Sequence, residues 1–265
     1  IQDDIETVVK EEIEIFDTSL RDGEQGGVTF KGKSKQKIAA YLADTGLNTI
    51  ECGFPSSNAL EFETVKEIAD TVEGPYICGL TTMDFENIHK TWESLKNNSN
   101  PTIHVFTLNI DEASIRAYKA DPEEQIQKAA EAVAYAKDLM RGKGRVEFSA
   151  QNTILALSQS LNPDHVFLQD YIARIYGGAI KEGADVINIP HTVAKGIEIK
   201  VGEAIKYFKI LVEGTENVML SFHAHNDFGV SVADTLEAIE QGVRQVEGTW
   251  YSLGERAGNT PLEQV

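Results

Sequence analysis

The sequence predicts an α/β protein whose strands close into a (β/α)8, or TIM, barrel. Eight short apolar runs alternate with seven stretches of helical periodicity, and the 265-residue length suits a single barrel. Such alternation favours parallel βαβ units. A doubly wound open sheet is the alternative, but residues 17–25, after the first run, lack the Gly-rich phosphate loop that such a sheet normally carries.

The elements follow one another in a regular order. The predicted strands span residues 13–16, 48–52, 76–80, 103–108, 145–148, 185–189, 218–222 and 244–248. The predicted helices span residues 34–45, 59–71, 85–96, 122–140, 163–182, 198–212 and 230–241. Gly46, Gly183 and Gly242 follow predicted helix ends, where a left-handed residue commonly closes the last turn. The eighth helix has barely begun at Val265, so we expect residues 1–265 to be one catalytic barrel of a longer protein.

Composition narrows the classes of function. The chain is 42% hydrophobic and 25% charged, which excludes disordered and fibrous proteins. Its 24 basic and 42 acidic residues give a net charge of −18, so we expect no nucleic-acid or anionic-membrane partner. No apolar run approaches the ~18 residues of a membrane span. Cys52 and Cys78 are too few for a disulfide framework and indicate a reducing compartment, which we expect to be the cytoplasm.

Polar residues cluster after nearly every predicted strand. In a (β/α)8 barrel the reactive groups lie at the C-terminal ends of the strands. The positions that follow the runs are therefore the candidate site residues: Arg21, Asp22, Glu51, Asn109, Asp111, Ser149, Gln151, Asn152, Asn188, His191, Thr192, His223, His225, Asn226, Asp227, Glu247, Glu255, Arg256 and Asn259.

His223 and His225 form the most informative pair. Residues i and i+2 of a strand face the same side, so both imidazoles are presented together. Asp22 follows the first strand. In a closed barrel, a single strand lies between the first strand and the seventh. Two imidazoles and a carboxylate suit a divalent ion, and zinc, manganese and magnesium all remain open. Two hydrogen-bonded structural histidines are the alternative interpretation.

Three further features point to an anionic ligand. The Arg21 guanidinium can bind a carboxylate bidentately, although a structural Arg–Asp pair is the alternative. Thr192 can donate its hydroxyl to the same carboxylate or cap the following helix. Small residues within 255–259, such as Gly258, allow a ligand or backbone to approach closely, although a plain loop is equally compatible.

Five motifs in one chain resemble the DRE-TIM metallolyases, and most closely their 2-isopropylmalate and homocitrate synthase branch. They are FDTSLRDGEQ at 16–25, ECGFP at 51–55, NIPHTV at 188–193, HAHNDFG at 223–229 and GERAGN at 254–259. The resemblance covers the chain from about residue 13 onward. It implies a TIM barrel, a divalent metal on Asp22, His223 and His225, and a Claisen condensation of acetyl-CoA with a 2-oxo acid.

The resemblance also assigns other residues and partners. It implies that the 2-oxo acid contacts Arg21, Gln25, Gln151 and Thr192. It places Glu255, Gly258 and Asn259 in the segment that meets acetyl-CoA, with Asn259 beside the metal. A homodimer acting in leucine biosynthesis, with C-terminal subdomains beyond the barrel, is the corresponding expectation.

The chain departs from the family pattern where a base is needed. Gln151 and Asn152 replace a Glu-Asp pair, and amides cannot accept a proton near neutral pH. His191 replaces an aspartate and is the candidate general base, because imidazole titrates near neutrality. A structural hydrogen bond is the alternative for His191, and a base from a C-terminal region or a partner subunit is the second alternative.

Three functions therefore stay open: a working synthase, an aldol-type lyase, and a non-catalytic barrel that binds metal and an oxo acid. The amides at Gln151 and Asn152 favour the non-catalytic barrel. The absence of cysteine from 254–258 counts against the hydroxymethylglutaryl-CoA lyase branch.

Overall fold

The computed structural model describes residues 12–193 and 199–265; residues 1–11 and 194–198, including the predicted helix start at 198, lie outside the described residues. Eight parallel strands close into a barrel in sequence order, and the last pairs with the first. They are β1 (Glu14–Asp17), β2 (Thr49–Glu51), β3 (Tyr76–Thr82), β4 (Pro101–Thr107), β5 (Arg145–Ala150), β6 (Val186–His191), β7 (Met219–Ala224) and β8 (Gln245–Gly248). The predicted (β/α)8 fold is confirmed.

The described residues form nine α-helices that surround the barrel. They are α1 (Lys33–Asp44), α2 (Ala59–Thr71), α3 (Phe85–Leu95), α4 (Glu112–Tyr118), α5 (Pro122–Met140), α6 (Thr153–Gln159), α7 (Phe167–Lys181), α8 (Val201–Leu211) and α9 (Ser231–Glu240). Helices α4 and α6 were not predicted; they follow β4 and β5 and have seven residues each. No helix among the described residues is long and apolar enough to cross a membrane.

A buried tyrosine of α7 fixes the two strands that carry much of the cavity wall. The Tyr176 hydroxyl donates to the Asn188 carbonyl of β6 at 3.0 Å and accepts the Ala150 N–H of β5 at 3.1 Å. Its ring packs edge-on against Phe148 and Phe208. Because one side chain joins helix and both strands, the ends of β5 and β6 are held in a fixed relation.

A buried lysine ties together the loops after β1 and β2. Lys35 is 1% exposed, and its Nζ lies 2.7 Å from both Glu24 Oε2 and Glu61 Oε1. Glu24 also accepts the Phe30 N–H, and Glu61 accepts the Phe54 N–H. The two carboxylates thus compensate the buried ammonium and anchor one side of the barrel mouth.

The turn after β8 contains two successive non-glycine residues in the left-handed region. Tyr251 and Ser252 both have φ of 55°, and Tyr251 is 82% exposed. This conformation costs an L-residue roughly 1–2 kcal/mol. We therefore expect Tyr251→Gly to raise the free energy of unfolding by about 1 kcal/mol in urea titrations. The matched control Tyr41→Gly, at an exposed position within α1, should instead destabilise, because glycine is a poor helix former.

Candidate active site

A cavity of about 190 Å³ opens at the C-terminal ends of the strands. Its wall contains eleven of the predicted site residues: Arg21, Asp22, Gln25, Ser149, Gln151, Asn188, Thr192, His223, His225, Glu247 and Glu255. Five more complete it: Phe54, Leu80, His104, Phe106 and Pro190. The site is therefore built from strand interiors as well as from strand ends.

Asp22, His223 and His225 converge at one side of this cavity, and all three are buried. His223 Nε2 lies 3.4 Å from His225 Nε2 and 3.5 Å from Asp22 Oδ2. Tetrahedral ligands at about 2.1 Å from a metal are separated by about 3.4 Å, so the spacing fits a divalent ion. Burial and the neighbouring His223 lower the pKa of His225 to about 3, which keeps it neutral, as a ligand must be.

Asn259 supports this cluster from the loop after β8. Its Nδ2 donates to Asp22 Oδ1 at 3.2 Å and to the Leu253 carbonyl at 2.8 Å. Its Oδ1 is buried without a hydrogen-bond partner among the described residues. A buried acceptor left open beside a carboxylate is what a nearby cation would satisfy.

Glu247 orients the first histidine. Its Oε2 lies 3.0 Å from His223 Nδ1, so Nδ1 carries the proton and the Nε2 lone pair faces Asp22 and His225. Burial lowers the pKa of His223, but the hydrogen bond and charge of Glu247 outweigh burial and raise it. The carboxylate therefore sets both the tautomer and the direction of the imidazole.

A polar chain continues from Glu247 into the barrel interior. Ser221 Oγ donates to Glu247 at 2.9 Å and accepts from Gln245 Nε2 at 3.0 Å. The same Gln245 amide donates to Glu147 at 3.1 Å. Burial and the charge of Glu247 raise the pKa of Glu147 well above its usual range, which favours the protonated form of this carboxyl.

Glu247→Gln is expected to weaken divalent-metal binding about 10–100-fold, because partners that orient a ligand contribute that much. Titration calorimetry with Zn²⁺ and Mn²⁺ measures the change. The control Glu240→Gln alters an exposed residue of α9 and should bind like the parent. Equal affinity of Glu247→Gln and the parent would contradict this orienting role.

Arg21 lies between two carboxylates at the cavity wall. Its Nε donates to Glu51 Oε2 at 2.7 Å, and its Nη1 donates to Asp22 Oδ2 at 3.0 Å. Burial disfavours the cation, but Glu51 and Asp22 outweigh burial and raise the pKa of Arg21. Arg21 Nη2 has no hydrogen-bond partner among the described residues, so it can donate to the carboxylate of a ligand.

Glu51 connects Arg21 to a histidine that the sequence analysis did not single out. The fully buried Glu51 carboxylate also accepts the Thr18 hydroxyl at 2.6 Å and lies 3.0 Å from His104 Nδ1. On the other side of the ring, His104 Nε2 lies 2.9 Å from Ser149 Oγ. Burial opposes the charge of Glu51, but Arg21 and His104 outweigh it and hold its pKa below the usual range.

A second group could in principle hold a metal: Glu51, Cys78 and His104 place ligand atoms within 4.8 Å of one another. Burial raises the pKa of the Cys78 thiol well above its usual value, so no thiolate is available. The Glu51 and His104 atoms are already hydrogen-bonded. The Asp22 cluster is therefore the better metal site.

The structure corrects the position expected for His191. Strand β6 continues to this residue, and Asn188, Pro190 and Thr192 are the alternate positions that line the cavity. His191 consequently faces outward toward α9, where its Nδ1 lies 3.5 Å from Asp234 Oδ2. It is buried and does not line the cavity, so it is not placed to act as a base there.

The two amides after β5 have different environments. Gln151 lines the cavity, whereas Asn152 Nδ2 donates to Asp111 Oδ2 at 2.8 Å outside the lining. The Asn152 N–H donates to Thr192 Oγ1 at 2.9 Å. Because Thr192 accepts that bond, its own hydroxyl proton remains available to a ligand, and carboxylate binding at Thr192 stays a prediction.

Gly258 serves the backbone of the loop after β8. Its φ is 91°, and a Cβ there would lie 1.7 Å from the Ser252 carbonyl oxygen. Gly258 is not in the cavity lining, whereas Glu255 of the same loop is. Gly258 therefore lets neighbouring backbone approach closely. Close approach of backbone, rather than of a ligand, was one of the two possibilities for this small residue.

Counting back in steps of two along β4 gives the signal for His104, which was not predicted. Phe106 leads back to His104, because alternate residues of a strand face the same side. His104 lies within a predicted apolar run, whereas the candidates were sought after the runs.

This arrangement places the chain in the class of DRE-TIM barrels, as the motifs predicted. The chain belongs to the HMGL-like family, whose model matches residues 12–265.

Several curated relatives share the name 2-isopropylmalate synthase. The chain is 39% identical over 254 residues to 2-isopropylmalate synthase of Clostridium kluyveri, covering 96% of this chain and 47% of that protein. It is 39% identical over 253 residues to 2-isopropylmalate synthase 1 of Caldanaerobacter subterraneus, covering 95% of this chain and 60% of that protein. It is also 39% identical to 2-isopropylmalate synthase 2, chloroplastic, of Arabidopsis thaliana, covering 96% of this chain and 40% of that protein. The chain thus spans about half the length of these relatives.

Solved structures share the fold at low identity. An HMG-CoA lyase from Acinetobacter baumannii has a TM-score of 0.72 at 17% identity and covers 96% of this chain and 82% of that chain. An HMG-CoA lyase from Brucella melitensis has a TM-score of 0.71 at 14% identity and covers 95% of this chain and 88% of that chain. At this level of identity the comparison establishes the barrel alone.

Proposed function

We propose that this barrel catalyses the Claisen condensation of acetyl-CoA with a 2-oxo acid, giving a 2-alkylmalate, as in a 2-isopropylmalate synthase. The observation that carries the proposal is Arg21 beside the Asp22–His223–His225 cluster at one cavity. A cationic fork next to a metal site suits a ligand with adjacent carboxylate and keto oxygens. The 39% identity to proteins of that name supports the choice of reaction.

Different residues bind different parts of the substrate. Arg21 Nη2 and the Thr192 hydroxyl bind the carboxylate of the 2-oxo acid, with Gln25 and Gln151 on the same wall. A divalent ion on Asp22, His223 and His225, when bound, supplies a Lewis acid for the keto oxygen.

Condensation requires a base for the acetyl methyl group. Gln151 cannot accept a proton, and His191 faces away from the cavity. Glu255 lies on the wall in the loop that the motif assigns to acetyl-CoA, and Arg256 Nη1 donates to its Oε2 at 3.1 Å. We assign proton removal to this carboxylate.

The test is thiol release from acetyl-CoA over a panel of 2-oxo acids with Zn²⁺, Mn²⁺ or Mg²⁺. We expect release with 3-methyl-2-oxobutanoate and a 2-alkylmalate in the mass spectrum. Glu255→Gln should lower kcat at least about 100-fold, whereas Glu240→Gln should not. Oxo-acid binding without turnover would instead support the non-catalytic barrel.

An aldol-type lyase is the second candidate, since the solved neighbours include an HMG-CoA lyase in complex with coenzyme A and 3-methylmalate. No cysteine occurs in the described loop 254–258, and none lines the cavity among the described residues. Cleavage of 3-hydroxy-3-methylglutaryl-CoA without condensation would favour the lyase. We further propose a cytoplasmic homodimer acting in leucine biosynthesis, with sedimentation analysis testing the dimer.

A further inference from the structure

Lys35 of α1 is a buried cation that lies behind the cavity rather than in its lining. Its Nζ lies 2.7 Å from Glu24 Oε2 and 2.7 Å from Glu61 Oε1. A buried ion cluster is weak evidence for stability, because apolar residues of similar volume often serve a fold as well. What distinguishes this cluster is that each of its two carboxylates holds a different segment of the cavity wall.

Glu24 connects Lys35 to the segment that carries the candidate metal ligand Asp22. Both acidic residues belong to the short 3₁₀ helix Asp22–Gly26, and among the described residues no side chain caps its start. The hydrogen-bond geometry of a 3₁₀ helix is poor, so tertiary contacts must fix this one in place. Glu24 supplies such a contact, since it binds Lys35 and accepts the Phe30 N–H at 2.7 Å.

Glu61 of α2 connects Lys35 to the turn after β2. Its Oε1 accepts the Phe54 N–H at 3.3 Å, and Phe54 lines the cavity, where its ring meets Phe106 edge-on. A Cβ on Gly53 would lie 1.9 Å from the same oxygen of Glu61. Glycine at this position therefore allows the carboxylate to approach the backbone that carries Phe54.

We propose that Lys35 is a positioning residue of the active site, whose ammonium holds Asp22 through Glu24 and Phe54 through Glu61. The Glu24 link places a metal ligand, and the Glu61 link places the wall beside the 2-oxo acid. The Glu61 link rests on the proposed function, whereas the Glu24 link depends only on the metal site. Displacing such a group by about 1 Å is enough to cost up to about 100-fold in function.

The two links make positioning distinguishable from plain stabilisation. Glu24→Gln and Glu61→Gln each keep the size of the side chain and an oxygen for the backbone N–H, but each loses the ion pair with Lys35. Both side chains are about one-fifth exposed, so we expect both variants to fold. A cluster that only stabilised the fold would lower the affinities for metal and 2-oxo acid in parallel in the two variants.

Cobalt(II) is the probe for the Glu24 link, because its visible absorption reports the geometry of its ligands. In calorimetry we expect Co²⁺ to bind about 10-fold more weakly to Glu24→Gln and about 10–100-fold more weakly to Lys35→Met. The visible bands of both variants should differ from those of the parent. Glu61→Gln should match the parent in Co²⁺ affinity and in its bands.

Lys137→Met is the matched control. Lys137 Nζ lies 2.9 Å from Asp185 Oδ2, which accepts the Val146 N–H at the start of β5. This variant therefore also removes a cation from a carboxylate that holds backbone, but at the N-terminal end of the barrel. It should lower the melting temperature and leave the Co²⁺ affinity and bands unchanged.

Binding of 3-methyl-2-oxobutanoate to the Co²⁺-saturated proteins tests the Glu61 link. We expect about 10-fold weaker binding in Glu61→Gln, with Lys137→Met like the parent. Parent-like Co²⁺ binding in Glu24→Gln, parallel losses of both affinities in the two glutamine variants, or a parent that binds no Co²⁺ overturns the inference. If Glu24→Gln changes the Co²⁺ site but the parent neither binds nor condenses a 2-oxo acid, the proposed function fails and the Glu24 link stands.

Discussion

His225→Ala is expected to lower the affinity for a divalent ion more than about 100-fold. The variant removes one of the three candidate ligands, and losing a ligand should exceed the 10–100-fold effect of losing an outer partner. The remaining ligands, Asp22 and His223, leave a site too open for tight binding. Equilibrium dialysis with elemental analysis measures the occupancy directly, without reference to catalysis.

A matched control distinguishes the loss of a metal ligand from the loss of any histidine side chain. His89 lies on the exposed face of α3, and His89→Ala should bind metal like the parent. Unchanged occupancy in His225→Ala, with the fold intact by circular dichroism, would remove this histidine from the metal site.

Arg21→Met is expected to lower the free energy of unfolding by roughly 3–5 kcal/mol, because it leaves buried carboxylates uncompensated. Glu51 and Asp22 each lose a charge-assisted hydrogen bond, and Glu51 has no access to water. Denaturant titration at neutral pH gives the change. Arg21→Lys keeps the charge but not the planar fork, so its loss of stability should be smaller.

The two variants also test ligand binding. Both should weaken binding of a 2-oxo acid in calorimetry, because neither presents the guanidinium fork to the carboxylate. Lys128→Met breaks an exposed ion pair with Glu124 on α5, and it should change stability by less than about 1 kcal/mol. Oxo-acid affinity in Arg21→Lys equal to that of the parent would exclude Arg21 from the substrate site.

The sequence predicted the order of the eight strands because buried parallel strands are continuous apolar runs. The sequence predicted the ends of the strands less accurately than their order. The run at 185–189 ends before the strand does, since Pro190 and His191 still pair with β7 opposite His223 and Ala224. Once His191 belongs to the strand, alternation sets its direction, and a polar residue assumed to lie in a loop faces a helix.

Helices α4 and α6 escaped prediction for a different reason. Each is two turns long, which is too short for a helical period to stand out from neighbouring loop residues. Their starts differ: Asp111 is an ordinary N-cap of α4 and accepts the Ser114 N–H, whereas Asn152 before α6 is left-handed, with φ of 63°. Local periodicity identified the long helices and passed over these two.

The candidate site was predictable where the chemistry lies near strand ends. Asp22, His223 and His225 meet as expected because closure places β1 and β7 on either side of β8. The contact between Glu51 and His104 joins positions 53 residues apart, and no local pattern encodes it. Pairings of this kind depend on register and side-chain direction across strands, which a single sequence does not specify.

The polar chain inside the barrel bears on mutational tolerance. His223 keeps its orientation through Glu247 on the cavity wall, and Glu247 is held in turn by Ser221, Gln245 and Glu147, which are buried and do not line the cavity. In a saturation library these interior positions should be as intolerant of apolar residues as the metal ligands are. Redesign of the barrel centre for thermal stability with aliphatic side chains would therefore remove the support of a functional imidazole. Stabilising substitutions are better sought on the outer helices, where packing can change without affecting His223.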